Sequence, residues 1–86
     1  MAIEFDPGKN AANLDKHGVS LARASDLEVE ARVMDHRFEE ARFRAYGLID
    51  GAPYCLAYAI RDGVVRAISL RRAHQKEYRR HVRPAD

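Results

Sequence analysis

"DGAPYCLAYAIRDG", residues 50–63, is an apolar run framed by two Asp-Gly pairs. Asp-Gly is the strongest short signal for a two-residue hairpin turn, because both turn positions need a left-handed backbone that these residues tolerate. The enclosed "PYCLAYAI" (53–60) is apolar on both faces, which places it as a central strand rather than an edge strand. Upstream, "ARFRAYGLI" (41–49) sets Arg42, Arg44 and Tyr46 opposite Phe43, Ala45 and Ile49. Downstream, "VVRAISL" (64–70) is β-branched and apolar. The expectation is a meander of three antiparallel strands. "EVEARVMD" (28–35) alternates as well, with Val29, Ala31 and Val33 on one side, and adds a further strand.

Helices lie outside this strand-rich middle. "IEFD" (3–6) reads as a short strand, after which Asp6 supplies an N-cap and Pro7 a first-turn proline. The helix that follows runs to Gly18, with Lys16 and His17 in its last turn, where the helix dipole favours cations. Ser20 caps a second, short helix carrying Leu21, Ala24 and Leu27 on one side. At the other end, "RRAHQKEYRRHVR" (71–83) reads as a helix that must stop before Pro84. With no repeat, linker or low-complexity segment, the 86 residues form one domain spanning 1–86.

Composition bounds the function. A chain with 47% hydrophobic and 33% charged residues folds. One cysteine, Cys55, allows no internal disulfide and suits burial as a small hydrophobe in a reducing, cytoplasmic setting. The N-terminus lacks a basic and apolar leader, and no apolar run reaches the roughly 20 residues that span a bilayer, so no membrane partner is expected. The net charge of +2 is unevenly spread: residues 71–86 hold six Lys and Arg against two acids, and residues 1–70 hold nine against eleven. On a continuous helix Arg72, Lys76, Arg79, Arg80 and Arg83 share one wedge, a stripe suited to an anionic partner and equally to a solvated face. His74, Tyr78 and Val82 share another, suited to packing on the sheet.

Other chemistries find no support. His74 and His81 are two turns apart, too far to chelate one ion, and a lone cysteine makes no zinc site. The glycines form no phosphate-binding loop, and Ser69 has no nucleophile elbow around it. No metal and no cofactor is expected.

"FDPGKNAANLDKHGV" resembles the opening signature of the BrnT toxin family, through Phe5, Asp6, Lys9, Asn13, Lys16, His17 and Gly18. "RAISLRRAHQKEY" is similar to its second signature, through Arg66, Ser69, Arg71, Arg72, Ala73, Glu77 and Tyr78, and Glu40 with Arg42 matches a Glu-x-Arg pair between them. Glu39, Ala67 and Leu70 depart from the usual glycine, larger aliphatic and alanine. The resemblance implies an α+β, RelE-like fold: two N-terminal helices on a small antiparallel sheet, with a basic C-terminal helix. It implies a ribonuclease toxin that arrests translation. It also implies a BrnA-type ribbon-helix-helix antitoxin as partner, operator DNA reached through that antitoxin, and a homodimeric or two-plus-two assembly.

Metal-independent RNA cleavage needs a base for the 2′-hydroxyl proton, cations for the phosphorane and an acid for the departing 5′-oxygen. Arg66 and Arg71 rank first for the cations. Their spacing of five puts them on opposite faces of a regular strand, so both reach one phosphate only if the strand bulges or ends near Leu70. His17, Tyr78 and Glu77 are the candidate proton carriers. His17 serves equally as a helix-end cation, Tyr78 as a packing residue and Glu77 as the ion-pair partner of Arg42 or Arg71. Lys9, Lys16, Arg72, Lys76, Arg79 and Arg80 are the candidate RNA contacts. The contrasting expectation is a non-catalytic interaction protein that binds the antitoxin and acts as a corepressor.

Overall fold

The computed structural model describes residues 3–37 and 39–82. In chain order its elements are β1 (Ile3–Glu4), α1 (Pro7–His17), a short 3₁₀ segment (Leu21–Asp26), β2 (Glu28–Asp35), β3 (Arg42–Ile49), β4 (Ala52–Arg61), β5 (Val64–Arg72) and α2 (Gln75–His81). One five-stranded sheet has the order β1-β5-β4-β3-β2, with β4 in the middle. The Asp50-Gly51 and Asp62-Gly63 turns carry positive φ at both positions, 50° and 77°, then 51° and 77°, as the hairpins on either side of β4 require.

The α+β class holds, with two corrections. The sheet is mixed, because β1 pairs with β5 in parallel, Ile3 beside Val65 and Glu4 beside Arg66. The reason lies in Asn13. Its side-chain amide donates to the Leu70 carbonyl at 2.9 Å and accepts from the Leu70 amide at 3.0 Å, imitating a strand partner along the edge that β1 is too short to cover. The chain must therefore travel in the direction of β5, first as β1 and then as α1. The second expected helix is 3₁₀ rather than α, fastened by Asn10, whose Oδ1 accepts from the Leu21 amide at 2.8 Å and the Ser20 hydroxyl at 3.1 Å.

One face of the sheet meets the 3₁₀ segment, with Leu21, Ala24, Ala45, Leu56, Tyr58, Ala67 and Leu70 buried between them. Ala67 and Leu70, two of the departures noted above, are both core residues. The opposite face holds a smaller cluster of Tyr46, Cys55 and Ala73 beneath α2. Gly47 sits where β3 meets a bulge in β2: a Cβ there would lie 2.2 Å from the Glu28 carbonyl oxygen.

The expected C-terminal helix is shorter than its pattern. Arg71 and Arg72 extend β5, paired with Cys55 and Tyr54, and the Ala73 amide donates to the Pro53 carbonyl at 3.0 Å. Sheet hydrogen bonds outcompete helix propensity here, so α2 begins only at Gln75, after His74 as N-cap. Arg72 is thus a strand residue, and the expected stripe breaks at its first member; Arg83 and the Pro84 stop lie outside the described residues. His74 also leaves the packing face. His81 takes its place, stacked on Tyr46 with ring centroids 4.6 Å apart, beside the partly buried Tyr78 and Val82.

Candidate active site

β5 has an extra residue. Ala57 pairs with Ser69 and Tyr58 with Ala67, leaving Ile68 as a bulge. Beyond the bulge the alternation resets, so Arg66, opposite Ala59, and Arg71, opposite Cys55, face the same side of the sheet. Four residues of β4 separate those partners, roughly 13 Å at about 3.3 Å per residue. The two arginines share a face but do not meet.

Their surroundings differ. Arg71 lines an open cleft of about 640 Å³ between the end of α1, the end of β5 and the start of α2, together with Lys16, His17, Arg72, His74, Glu77 and Arg80. Arg66 borders a depression of only about 30 Å³, shared with Lys9, Arg42 and Arg61. Its nearest acid, Glu4, is 3.7 Å away, and both side chains are well exposed.

Within the cleft, Arg71 is held firmly. Its Nη1 donates to Glu77 Oε1 at 2.9 Å and its Nη2 to Oε2 at 2.8 Å, a bidentate fork, while Nη1 also reaches the Arg72 carbonyl at 3.3 Å. Three of five guanidinium N–H groups are thereby engaged among the described residues, and the Nε edge remains for an anion. Behind the pair, the buried Tyr46 hydroxyl donates to Glu77 Oε2 at 3.0 Å and accepts from Arg44 Nη1 at 3.2 Å. The Arg71 guanidinium, then the Tyr46 hydroxyl, hold the Glu77 carboxyl far below its ordinary range, at about 2, against the opposing effect of burial. Arg71 is raised in turn by Glu77, and burial raises the Tyr46 hydroxyl.

These contacts sort the sequence-predicted residues. Lys16, His17, Arg71, Arg72, Glu77 and Arg80 converge on one cleft. Arg66 and Lys9 lie at the other end of β5. Tyr78 turns away from the cleft, donates its hydroxyl to Glu30 and is pushed up to about 12 by burial first and that carboxylate second. Arg79 lines a separate groove with Tyr78, Arg80 lines the cleft and Lys76 is exposed and borders neither, so the helical stripe divides between surfaces.

Three donors, two N–H groups of Arg71 and the Tyr46 hydroxyl, favour the charged form of Glu77, and its carboxylate in turn orients the Arg71 guanidinium. Two residues escaped the sequence reading. In the sequence Tyr46 shows only as one member of the polar Arg-x-Arg-x-Tyr alternation, and His74 only as a member of a packing face and of a histidine pair too far apart to chelate. Among the described residues no group of three or more His, Cys, Asp and Glu is placed to hold a metal ion. No described helix is long and apolar enough to cross a membrane.

The comparisons with known proteins agree with this architecture. A crystal structure of the Brucella abortus ribonuclease toxin BrnT superimposes with a TM-score of 0.67 at 23% identity, over 87% of this chain and 99% of that one, which shows a shared fold. No curated protein matches. The family model described as "Ribonuclease toxin, BrnT, of type II toxin-antitoxin system" matches residues 5–77, from the residue before the α1 cap to the carboxylate that holds Arg71. By that match over most of its length, the chain belongs to the BrnT ribonuclease toxin family of type II toxin-antitoxin systems.

Proposed function

We propose that this chain is a metal-independent endoribonuclease that arrests translation by cutting RNA in the Arg71 cleft and is neutralised by a BrnA-type antitoxin. The observation that carries the reading is the Arg71–Glu77 fork, set among Lys16, Arg72 and Arg80 and beside His17. A phosphorane gathers negative charge on its equatorial oxygens, and a cation already fixed in place stabilises it without reorganising during the reaction. Arg71 meets that description, because the fork removes its rotamer freedom while leaving the Nε edge for the phosphate. Lys16 and Arg72, both exposed, add positive potential that draws the strand in. His17, at the lip formed by the end of α1, carries one of the protons that move in the step. The products are a 2′,3′-cyclic phosphate and a 5′-hydroxyl. Cations in this scheme take the part a metal ion plays elsewhere.

Arg66 and Lys9 have a different part in this reading. Set roughly 13 Å along β5 from Arg71, they grip a neighbouring stretch of the RNA strand rather than the scissile phosphate. The relationship to RelE toxins belongs to the same reading, supported by an antiparallel β2–β5 meander that presents basic residues on one face. A ribbon-helix-helix antitoxin, the operator DNA it binds and a homodimeric or two-plus-two assembly belong to the same reading, supported by membership of a type II toxin-antitoxin family. The test uses purified protein and an RNA oligonucleotide in excess chelator. Cleavage that persists there, disappears when a single 2′-hydroxyl at the cut is replaced by hydrogen, and is blocked by the antitoxin supports the reading. Growth and translation unaffected by soluble expression of the chain would overturn it in favour of a non-catalytic corepressor.

A further inference from the structure

We propose that His74 is the second proton-transfer group of the cleft, working with His17 on one RNA phosphodiester, an inference that rests on the ribonuclease reading above. His74 occupies the N-cap of α2, a position that Ser, Thr, Asp and Asn fill best because a short side-chain oxygen accepts the helix's unpaired amides. An imidazole is a poor substitute, and here it makes no capping hydrogen bond. The Glu77 carboxylate, three residues on, takes the Arg71 guanidinium and has the His74 backbone amide nearby as a further, smaller stabiliser of its charge. The exposed imidazole lines the cleft opposite the end of α1 that carries His17.

The charged groups facing this pair are Lys16 from α1, Arg71 and Arg72 from β5, and Glu77 and Arg80 from α2. Glu77 is committed to its donors, and the two imidazoles are the side chains of the cleft whose ring nitrogens can both accept and donate a proton. In the step proposed, the 2′-oxygen forms a bond to phosphorus as one neutral imidazole takes its proton. The bond from phosphorus to the 5′-oxygen breaks as the other, protonated imidazole gives its proton to that oxygen. The atoms balance without a further reactant, and the pair exchanges roles when water opens the cyclic phosphate.

The experiment compares wild type, His17→Ala, His74→Ala and His74→Ser on two substrates. One is a dinucleotide with an ordinary 5′-alkoxide leaving group, and the other is uridine 3′-(4-nitrophenyl phosphate), whose leaving group needs no acid. His74→Ser restores a good N-cap, so its melting temperature should match or exceed wild type while dinucleotide cleavage falls about 10²-fold or more, as in His74→Ala. One of the two alanine variants should recover to within about tenfold of wild type on the aryl ester, and the other should not, which assigns acid and base. A His74→Ser protein that cleaves the dinucleotide within about threefold of wild type, or one slowed only through KM, overturns the proposal.

Inorganic phosphate titrated onto wild type while the imidazole C2 protons are followed by NMR gives a readout that needs no turnover. Both resonances should move together, and neither should move in Arg71→Ala. A shift of His17 alone overturns the pairing. If both shift but wild type cleaves no RNA, the ribonuclease reading fails and takes the proton-transfer role with it. If wild type cleaves and His74→Ser is unimpaired, the present proposal alone fails.

Discussion

The two ends of β5 carry the same kind of residue on the same face and treat it in opposite ways. At one end Arg71 is clamped by a bidentate carboxylate that a buried tyrosine supports in turn, at the mouth of a cleft of about 640 Å³. At the other, Arg66 is 3.7 Å from an exposed glutamate beside a depression of about 30 Å³. Charge is equal at the two ends, but order is not. A cation that must first be arranged stabilises bound substrate and transition state alike, whereas one held in advance favours the transition state.

The sharpest way to break this comparison is to exchange the expected effects. Arg71→Ala should lower single-turnover cleavage by about 10²-fold or more, the scale of losing one preorganised electrostatic group. Arg71→Lys should recover little of that, because an ammonium cannot donate a two-pronged fork to the carboxylate and offer a second edge to phosphate. Arg66→Ala should weaken RNA affinity and leave the single-turnover rate within about tenfold, and Arg66→Lys should be close to wild type. A folded Arg66→Ala protein that loses the larger factor would make Arg66 the catalytic cation and reduce Arg71 to a structural ion pair.

Asn13 is what brings α1, and with it Lys16 and His17, to the Arg71 end. Asn13→Ala would strand the buried Leu70 amide and carbonyl and cost about 2 kcal/mol or more of stability, read as a fall in melting temperature. Arg66→Ala, by contrast, breaks a solvated pair and should leave the melting temperature within about a degree or two. An Asn13→Ala protein of wild-type stability would mean that the edge of β5 is satisfied some other way.

How much of this was legible beforehand follows from the range of the interactions. The two Asp-Gly turns, the Asp6 cap and the Gly18 stop are local, and the sequence pattern located each of them. The parallel β1 and the extension of β5 through Arg72 are long-range: they depend on Asn13 finding Leu70 and on Ala73 finding Pro53, pairings that no periodicity announces. The helical stripe failed for the same reason, since a wheel drawn from residue 71 assumes a helix where the ladder continues. Convergence of Lys16, His17, Arg71 and Glu77 could be guessed only through the family signatures, because the α1 and β5 segments are far apart in the chain. The Ile68 bulge met the condition set for Arg66 and Arg71 to share a face, yet distance along the strand still separates them.

Acid offers a further probe of the clamped end. The Glu77 carboxyl lies at about 2 in the fold, below its ordinary value of 4.5, so its contribution to stability is fully present above about 4.5 and is lost as pH falls toward 2. Glu77→Gln should therefore flatten the loss of melting temperature between those limits. It should also slow cleavage near neutral pH, by roughly tenfold, because Arg71 loses the charged half of its fork. An unchanged acid limb would mean that the Arg71–Glu77 pair contributes nothing to the stability of the fold.

The smallest expected effect separates Arg79 from Arg80, neighbours in sequence that α2 turns toward different surfaces. Arg80 lines the cleft and Arg79 the groove beside Tyr78. If RNA enters at the Arg71 end, Arg80 meets a phosphate and releases a counterion, and the log-log dependence of RNA affinity on salt should become shallower by about 0.7 in Arg80→Ala. Arg79→Ala should leave the slope as it is. The measurement is equilibrium binding of a single-stranded RNA, made uncleavable by one 2′-deoxy substitution, across a series of salt concentrations. Equal changes in the two variants would show that the strand crosses the outer side of α2, where both arginines can reach it, and would move the RNA path away from the cleft.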